Sequence, residues 1–301
     1  SEFRGNELYT NVHRDSATAK HNGIVIYKSG STGWILNDYI NAVTSSEGIT
    51  IGAGGTARDF SLHNEHLAVT SWELGDDSRL LIFNSSSTAG WNLSQVLTTS
   101  SYNAGAPVNV STGYQTFLAV KVHGNKLVTS GFTRATGGTN QYERYLGIFA
   151  SGSSGWEFED SVFIRDVSTA GGASNYGGSV SISNLALDFD GTRIVAASVE
   201  GVGEEAYHND SGHIYIINSS SANGWTQESK INLSTAGITS DVSSQFGSDY
   251  TSEYRTFRNF GYMGCSLSGS YLAVAAQGKE INVSSGNFRR QRSAVFLFKS
   301  S

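Results

Sequence analysis

One strand-turn-strand unit returns along this chain with a tryptophan in a fixed slot. It reads GIVIYKSGSTGW at 23–34, LLIFNSSSTAGW at 80–91, LGIFASGSSGW at 146–156 and IYIINSSSANGW at 214–225. A fifth copy, AVFLFKSS at 294–301, reaches the end of the sequence before its Gly-Trp. Trp34, Trp91, Trp156 and Trp225 therefore stand 57, 65 and 69 residues apart. A period of that size is the mark of a repeat architecture, in which each unit buries its apolar faces against its neighbours.

Two further strands precede each unit. The last repeat shows FGYMGCSL (260–267), a Ser-Gly-Ser turn, then YLAVAA (271–276). The same pair appears at 60–71, at 117–130 and at 180–198, turning on HNE, HGN and DFDG. The second strand of each pair is a run of small and branched apolar residues, as a strand buried on both faces requires. The unit is thus four antiparallel strands, A to D, with no helical periodicity. This pattern predicts an all-β chain, a β-propeller of four-stranded antiparallel blades. We expect one propeller domain over 1–301, with blades near 7–44, 58–99, 116–166, 179–232 and 260–301. At the N-terminus 7–12 reads as a B strand, so both terminal blades look incomplete. Merging them would give four blades but duplicate B and C, so five is the count expected.

The glycine before each tryptophan suits a turn that needs positive φ, and the tryptophan suits the seam between blades. Net charge is −6 with mixed signs, so no basic stripe fits a nucleic-acid backbone. No apolar run of 18 residues occurs, so no membrane span is expected. The single cysteine, Cys265, permits no internal disulfide and reads as a small buried hydrophobe. Ser1-Glu2-Phe3 reads as a scar or a domain boundary. Seven Asn-x-Ser sequons, in a serine-rich chain, say little about secretion.

A–B and C–D turns are short, whereas B–C and D–A connections are long and differ in every repeat. In an antiparallel meander these two classes fall on opposite faces, and the variable face is the one free to bind. Its candidate ligand-binding residues are Tyr250, Tyr254, Arg255, Phe257 and Arg258 in one connection and Phe288, Arg289 and Arg290 in another. Tyr142 and Arg144, with Tyr207 and His208, complete the set. Tyrosine and arginine among Ser, Gly and Asn is the composition of adaptable recognition surfaces.

These repeats resemble the FG-GAP repeats of integrin α-subunit-like propellers and their bacterial and phage relatives. The match lies in Phe260-Gly261 through Ala276, Tyr176-Gly177 through Ser198, and Gly212 through Trp225. The resemblance implies an adhesion or ligand-binding module, extracellular or exposed on a cell or virion surface, with a surface glycan or protein as partner. It also implies calcium loops in A–B turns. Asp188, Asp190 and Gly191 approach one, but Ala186 and Ile194 stand where further ligands would be, so no cofactor is expected.

The expectation is therefore a non-catalytic recognition module. A structural domain of a larger fibre or adhesin is one alternative. A propeller glycoside hydrolase is the other, and it would need paired carboxylates near the centre of the blades. Glu73, Asp76, Asp77, Glu204 and Glu205 are its candidates, all in B–C connections. The C–D turns lack the aspartate of sialidase-like Asp-boxes, and His63 and His66 read as surface residues beside a turn.

Overall fold

The computed structural model describes residues 1–14, 21–41, 56–72, 78–87, 90–98, 101, 117–134, 142–164, 187–199, 212–232, 257–258, 264–278, 280–284, 287–290 and 294–300. The described elements are all β strands, and five four-stranded antiparallel sheets are the blades of a β-propeller. It divides into two compact units, Ser1–Gly138 with Tyr142–Asp166, and Thr139–Gln141 with Val167–Ser301. No helix among the described residues is long and apolar enough to cross a membrane.

The first unit holds three blades. Strands β1 (Glu2–Arg4), β2 (Glu7–Arg14), β3 (His21–Gly30) and β4 (Gly33–Asn41) form the first in chain order. Strands β5 (Thr56–His63), β6 (His66–Trp72), β7 (Ser78–Ser86) and β8 (Gly90–Leu97) form the second. The third is β9 (Ala119–His123), β10 (Lys126–Arg134), β11 (Tyr142–Gly152) and β12 (Gly155–Phe163). The first blade is complete, which corrects the expectation for the N-terminus: Glu2–Arg4 is its A strand, paired with Glu7–Tyr9.

In the second unit, β13 (Leu187–Phe189), β14 (Arg193–Val199), β15 (Gly212–Ser220) and β16 (Gly224–Asn232) make the fourth blade. In the fifth, β18 (Cys265–Ser268), β19 (Tyr271–Gly278) and β22 (Ala294–Lys299) supply A, B and C, and β17 (Phe257–Arg258) pairs with the far end of β19. Strands β20 (Glu280–Ser284) and β21 (Asn287–Arg290) form a separate hairpin within its B–C connection.

Alternation along β7 shows how the blades stack. Leu80 and Ile82 join Phe117, Val120, Leu127 and Trp156 of the third blade in one buried cluster. Leu81 and Phe83 join Tyr9, Ile24 and Ile26 of the first blade in another. Side chains one residue apart point to opposite faces of a strand, so a continuous apolar run glues a blade on both sides. Each such side chain contributes about 2 kcal/mol by leaving water. Trp91 meets the Tyr9 ring edge-on at 6.1 Å, and Trp156 meets His66 edge-on at 5.4 Å. In both pairs the tryptophan covers the preceding blade, as the repeat predicts. Trp34 instead lies against Phe3 of its own blade and is half exposed.

Two backbone features recur. Gly33, Gly90, Gly155 and Gly224 all have positive φ, from 64° to 113°, as the C–D turn demands. A bulge then follows at the same register in four blades, leaving Asn37, Ser94, Glu159 and Glu228 as the extra residue of the D strand. A bulge increases local twist and re-aims its side chain. Here Ser94 accepts from Asn84, Glu159 pairs with Lys126, and Glu228 accepts from Asn218.

Cys265 is half-buried on β18 with Sγ 3.9 Å from the Val195 carbonyl oxygen, not fully buried as expected.

Candidate functional site

Each blade begins with an edge strand, and an edge strand leaves main-chain N–H groups without a ladder partner. In the first unit these groups are taken by side chains of the preceding blade. Along β5 the side chains of Asp59, Ser61 and His63 accept from the N–H groups of Val120, Val122 and Gly124 at 3.0, 3.1 and 2.9 Å. Every partner lies 61 residues ahead, so the ladder runs in constant register. Glu2 Oε2 does the same for Leu62 N–H at 2.5 Å. Within the second unit, Asp188 Oδ2 accepts from Leu267 N–H at 2.7 Å and from the Ser266 hydroxyl at 3.1 Å.

Glu2, Ser61, Lys121 and Asp188 occupy one slot of the A strand, three residues before the positive-φ residue of the A–B turn, Gly5, Asn64, Gly124 and Gly191 in turn. Lys121 is the exception among them, since an ammonium cannot accept. Its Nζ turns back across the second blade to lie 3.6 Å from Glu2 Oε1. The result is a carboxyl from the first blade, a carboxyl from the second and an ammonium from the third, gathered on adjacent A strands. Glu2 and Lys121 keep about a quarter of their side-chain surface in water, at 23% and 24%.

Burial sets the electrostatics. It raises the Asp59 carboxyl to about 7, against the pull of the Val120 N–H and the Lys121 ammonium, and the charge of Glu2 adds to the rise. Burial also raises Glu2, with Lys121 and the Leu62 N–H opposing. Asp59 follows a register shift between Ala57 and Asp59, a bulge that turns this carboxyl toward β9. A carboxyl still protonated near neutrality, beside a second carboxyl and a cation, has the make-up of a proton-transfer site.

The two histidines expected at the surface are both engaged. His63 accepts from Gly124 and stacks on His123 at 4.2 Å, and burial lowers its pKa. His66 Nδ1 lies 2.8 Å from Asn84 Oδ1, and its ring stands against Trp156.

The ligand residues expected from sequence fall differently. Tyr250, Tyr254, Arg255, Tyr207 and His208 lie outside the described residues, as do Glu73, Asp76, Asp77, Glu204 and Glu205. Tyr142 and Arg144 stand on β11, not in a loop, because the β10–β11 ladder runs on to Arg134↔Tyr142. Phe257 and Arg258 form β17, and Phe288, Arg289 and Arg290 lie on β21, paired with Asn282, Ile281 and Glu280. The structure brings together Glu2, Asp59 and Lys121, which the sequence did not single out.

The suspected calcium loop has other work. Asp190 accepts from the N–H groups of Thr192 and Arg193 and holds the Arg193 guanidinium at 2.8 Å. Burial opposes its charge, but these donors win and hold its carboxyl below the usual value. Among the described residues no group of three or more His, Cys, Asp or Glu side chains is placed to hold a metal ion.

No family model and no curated protein matches this chain, so the FG-GAP resemblance extends no further than the propeller fold. Among solved structures, a BT0996–RGII complex is similar over 99% of this chain and 85% of its own, at 10% identity and a TM-score of 0.37. A glycoside hydrolase is similar over 99% and 86%, at 9% identity and a TM-score of 0.37. A phage phi92 endosialidase is similar over 91% of this chain and 60% of its own, at 7% identity and a TM-score of 0.30. The expectation that the chain is not an enzyme is corrected on this finding, since the similar structures include a glycoside hydrolase and an endosialidase. At these scores the likeness assigns no activity to the chain itself.

Proposed function

We propose that this propeller binds a glycan and cleaves a glycosidic bond, with Asp59 as proton donor and Glu2 as the second carboxylate. The observation that carries the reading is the convergence of these two carboxyl groups, from adjacent A strands, around Lys121. Glycoside cleavage needs one carboxyl that holds a proton for the leaving oxygen and another that is ionised to meet the cationic transition state. Burial supplies the first at Asp59. Burial raises Glu2 as well, while the Lys121 ammonium and the Leu62 N–H pull the other way and favour its ionised form. In this reading the B–C and D–A connections of the first unit hold the sugar chain.

The test is release of reducing ends from a panel of plant, bacterial and animal polysaccharides, with Asp59→Asn and Glu2→Gln beside the parent. We expect turnover on at least one member and a loss of about 100-fold or more in each variant. No release on any polysaccharide, or release that both variants retain, overturns the assignment.

A further inference from the structure

A second site lies at the A–B turn between the first and second blades. Phe3, Arg4, Leu62, His63, Asn64 and Glu65 line an open groove of about 500 Å³. That is room for one or two sugar rings. We infer that this groove binds a saccharide bearing a carboxylate, a uronic acid or its chemical equivalent, through Arg4 and His63.

Arg4 is held before any ligand arrives. Its guanidinium lies over the Trp91 ring at 5.2 Å, and Nη1 donates to the Ser85 hydroxyl at 3.2 Å. A guanidinium has five N–H donors, so this support leaves others for a carboxylate. His63 is set by the interblade ladder. Because Nδ1 accepts from Gly124 N–H, the neutral ring carries its proton on Nε2, at the opposite edge, where it is a donor. Two fixed donors thus line one groove. Phe3 adds an aromatic face, 68% exposed, of the kind that meets the C–H face of a sugar. Asn64 and Glu65 form the turn beside it, Asn64 with positive φ, and supply acceptors for hydroxyls.

That the ligand is a saccharide rests on the carbohydrate reading above. That it carries a carboxylate rests on Arg4 and His63 alone. The site lies at the turn end of the A strands, apart from Asp59, so binding here does not require turnover there.

The test is a titration of the isotope-labelled full chain, followed through the backbone amides of Asn64, Glu65 and Gly124. The probes are sodium glucuronate, glucose and sodium acetate. Saturable shifts with glucuronate, with at least tenfold weaker effects from the other two, are expected. Arg4→Gln weakens glucuronate about tenfold or more. Glu65→Gln removes a negative charge from the rim and tightens it a few-fold, an outcome that damaged folding does not produce. Acetate binding as well as glucuronate removes the saccharide from the proposal, glucose matching glucuronate removes the carboxylate, and no shift with any probe removes the site. Hydrolysis lost in Asp59→Asn while glucuronate still binds separates the two proposals.

Discussion

Replacing Asp59 by Asn separates a strained proton donor from a structural staple, because the two roles give stability changes of opposite sign. Asn keeps an oxygen that can accept from Val120 N–H, now 3.0 Å from Asp59 Oδ2, and removes only the titration. Burial raises the Asp59 carboxyl from 3.8 to about 7. A folded value above the unfolded one means the folded chain binds the proton more tightly. Its stabilising contribution is whole below 3.8, falls as pH climbs, and is lost once pH passes about 7. At about 1.4 kcal/mol per pH unit this interval sets a ceiling of about 4 kcal/mol, which the partial solvent access of Asp59 reduces to about 2–3 kcal/mol. Asp59→Asn is then close to neutral at pH 4 and more stable than the parent by about 2–3 kcal/mol at pH 8. Urea unfolding at half-unit steps from pH 4 to 8 measures this, and the quantity of interest is the difference between the two proteins, since other carboxyl groups titrate in both. A difference flat to within about 0.5 kcal/mol, or a variant less stable at pH 8, refutes the buried protonated carboxyl. Greater stability with lost hydrolysis is the trade-off expected of a group held for chemistry.

Two other substitutions test the scaffold. Gly155→Ala places a Cβ 2.7 Å from Gln95 Oε1 at a φ of +105°, and Gln95 is the clasp that accepts from Trp156 N–H and donates to its carbonyl. Gly33→Ala has a similar φ, +113°, but opens onto free space. Thermal or urea unfolding should show about 1–2 kcal/mol lost at Gly33 and at least 1 kcal/mol more at Gly155. Ser61→Ala leaves the N–H of buried Val122 without its acceptor, at a cost of about 1–3 kcal/mol, and hydrogen exchange should rise at Val122 before it rises at Leu146 in the interior of β11.

The scaffold is legible in the sequence because its causes are local and repeat in kind. The C–D turn needs positive φ, only glycine supplies it without strain, and so Gly33, Gly90, Gly155 and Gly224 mark the four C–D turns among the described residues. The B strands are buried on both faces, so Leu67–Thr70 and Leu127–Ser130 are runs without a polar alternation. The ladder between A strands is the opposite case. Its slot needs an acceptor, and any acceptor serves, so Glu2, Ser61 and Asp188 share a position and no residue type. Asp59 and Lys121 stand 62 residues apart, and Glu2 lies in another blade again, so their meeting depends on how blades stack and leaves no spacing to read. Tyr142 and Arg144 look like loop residues in the sequence for a related reason. The residues before Tyr142 are glycine-rich and polar, yet the ladder extends to Arg134↔Tyr142 because pairing already won in β10 and β11 propagates outward. Lys121 carries the same logic into the site. Where the slot holds a lysine in place of an acceptor, its ammonium turns back to Glu2, and the residue that breaks the ladder's pattern completes the charge cluster on which the proposed chemistry depends.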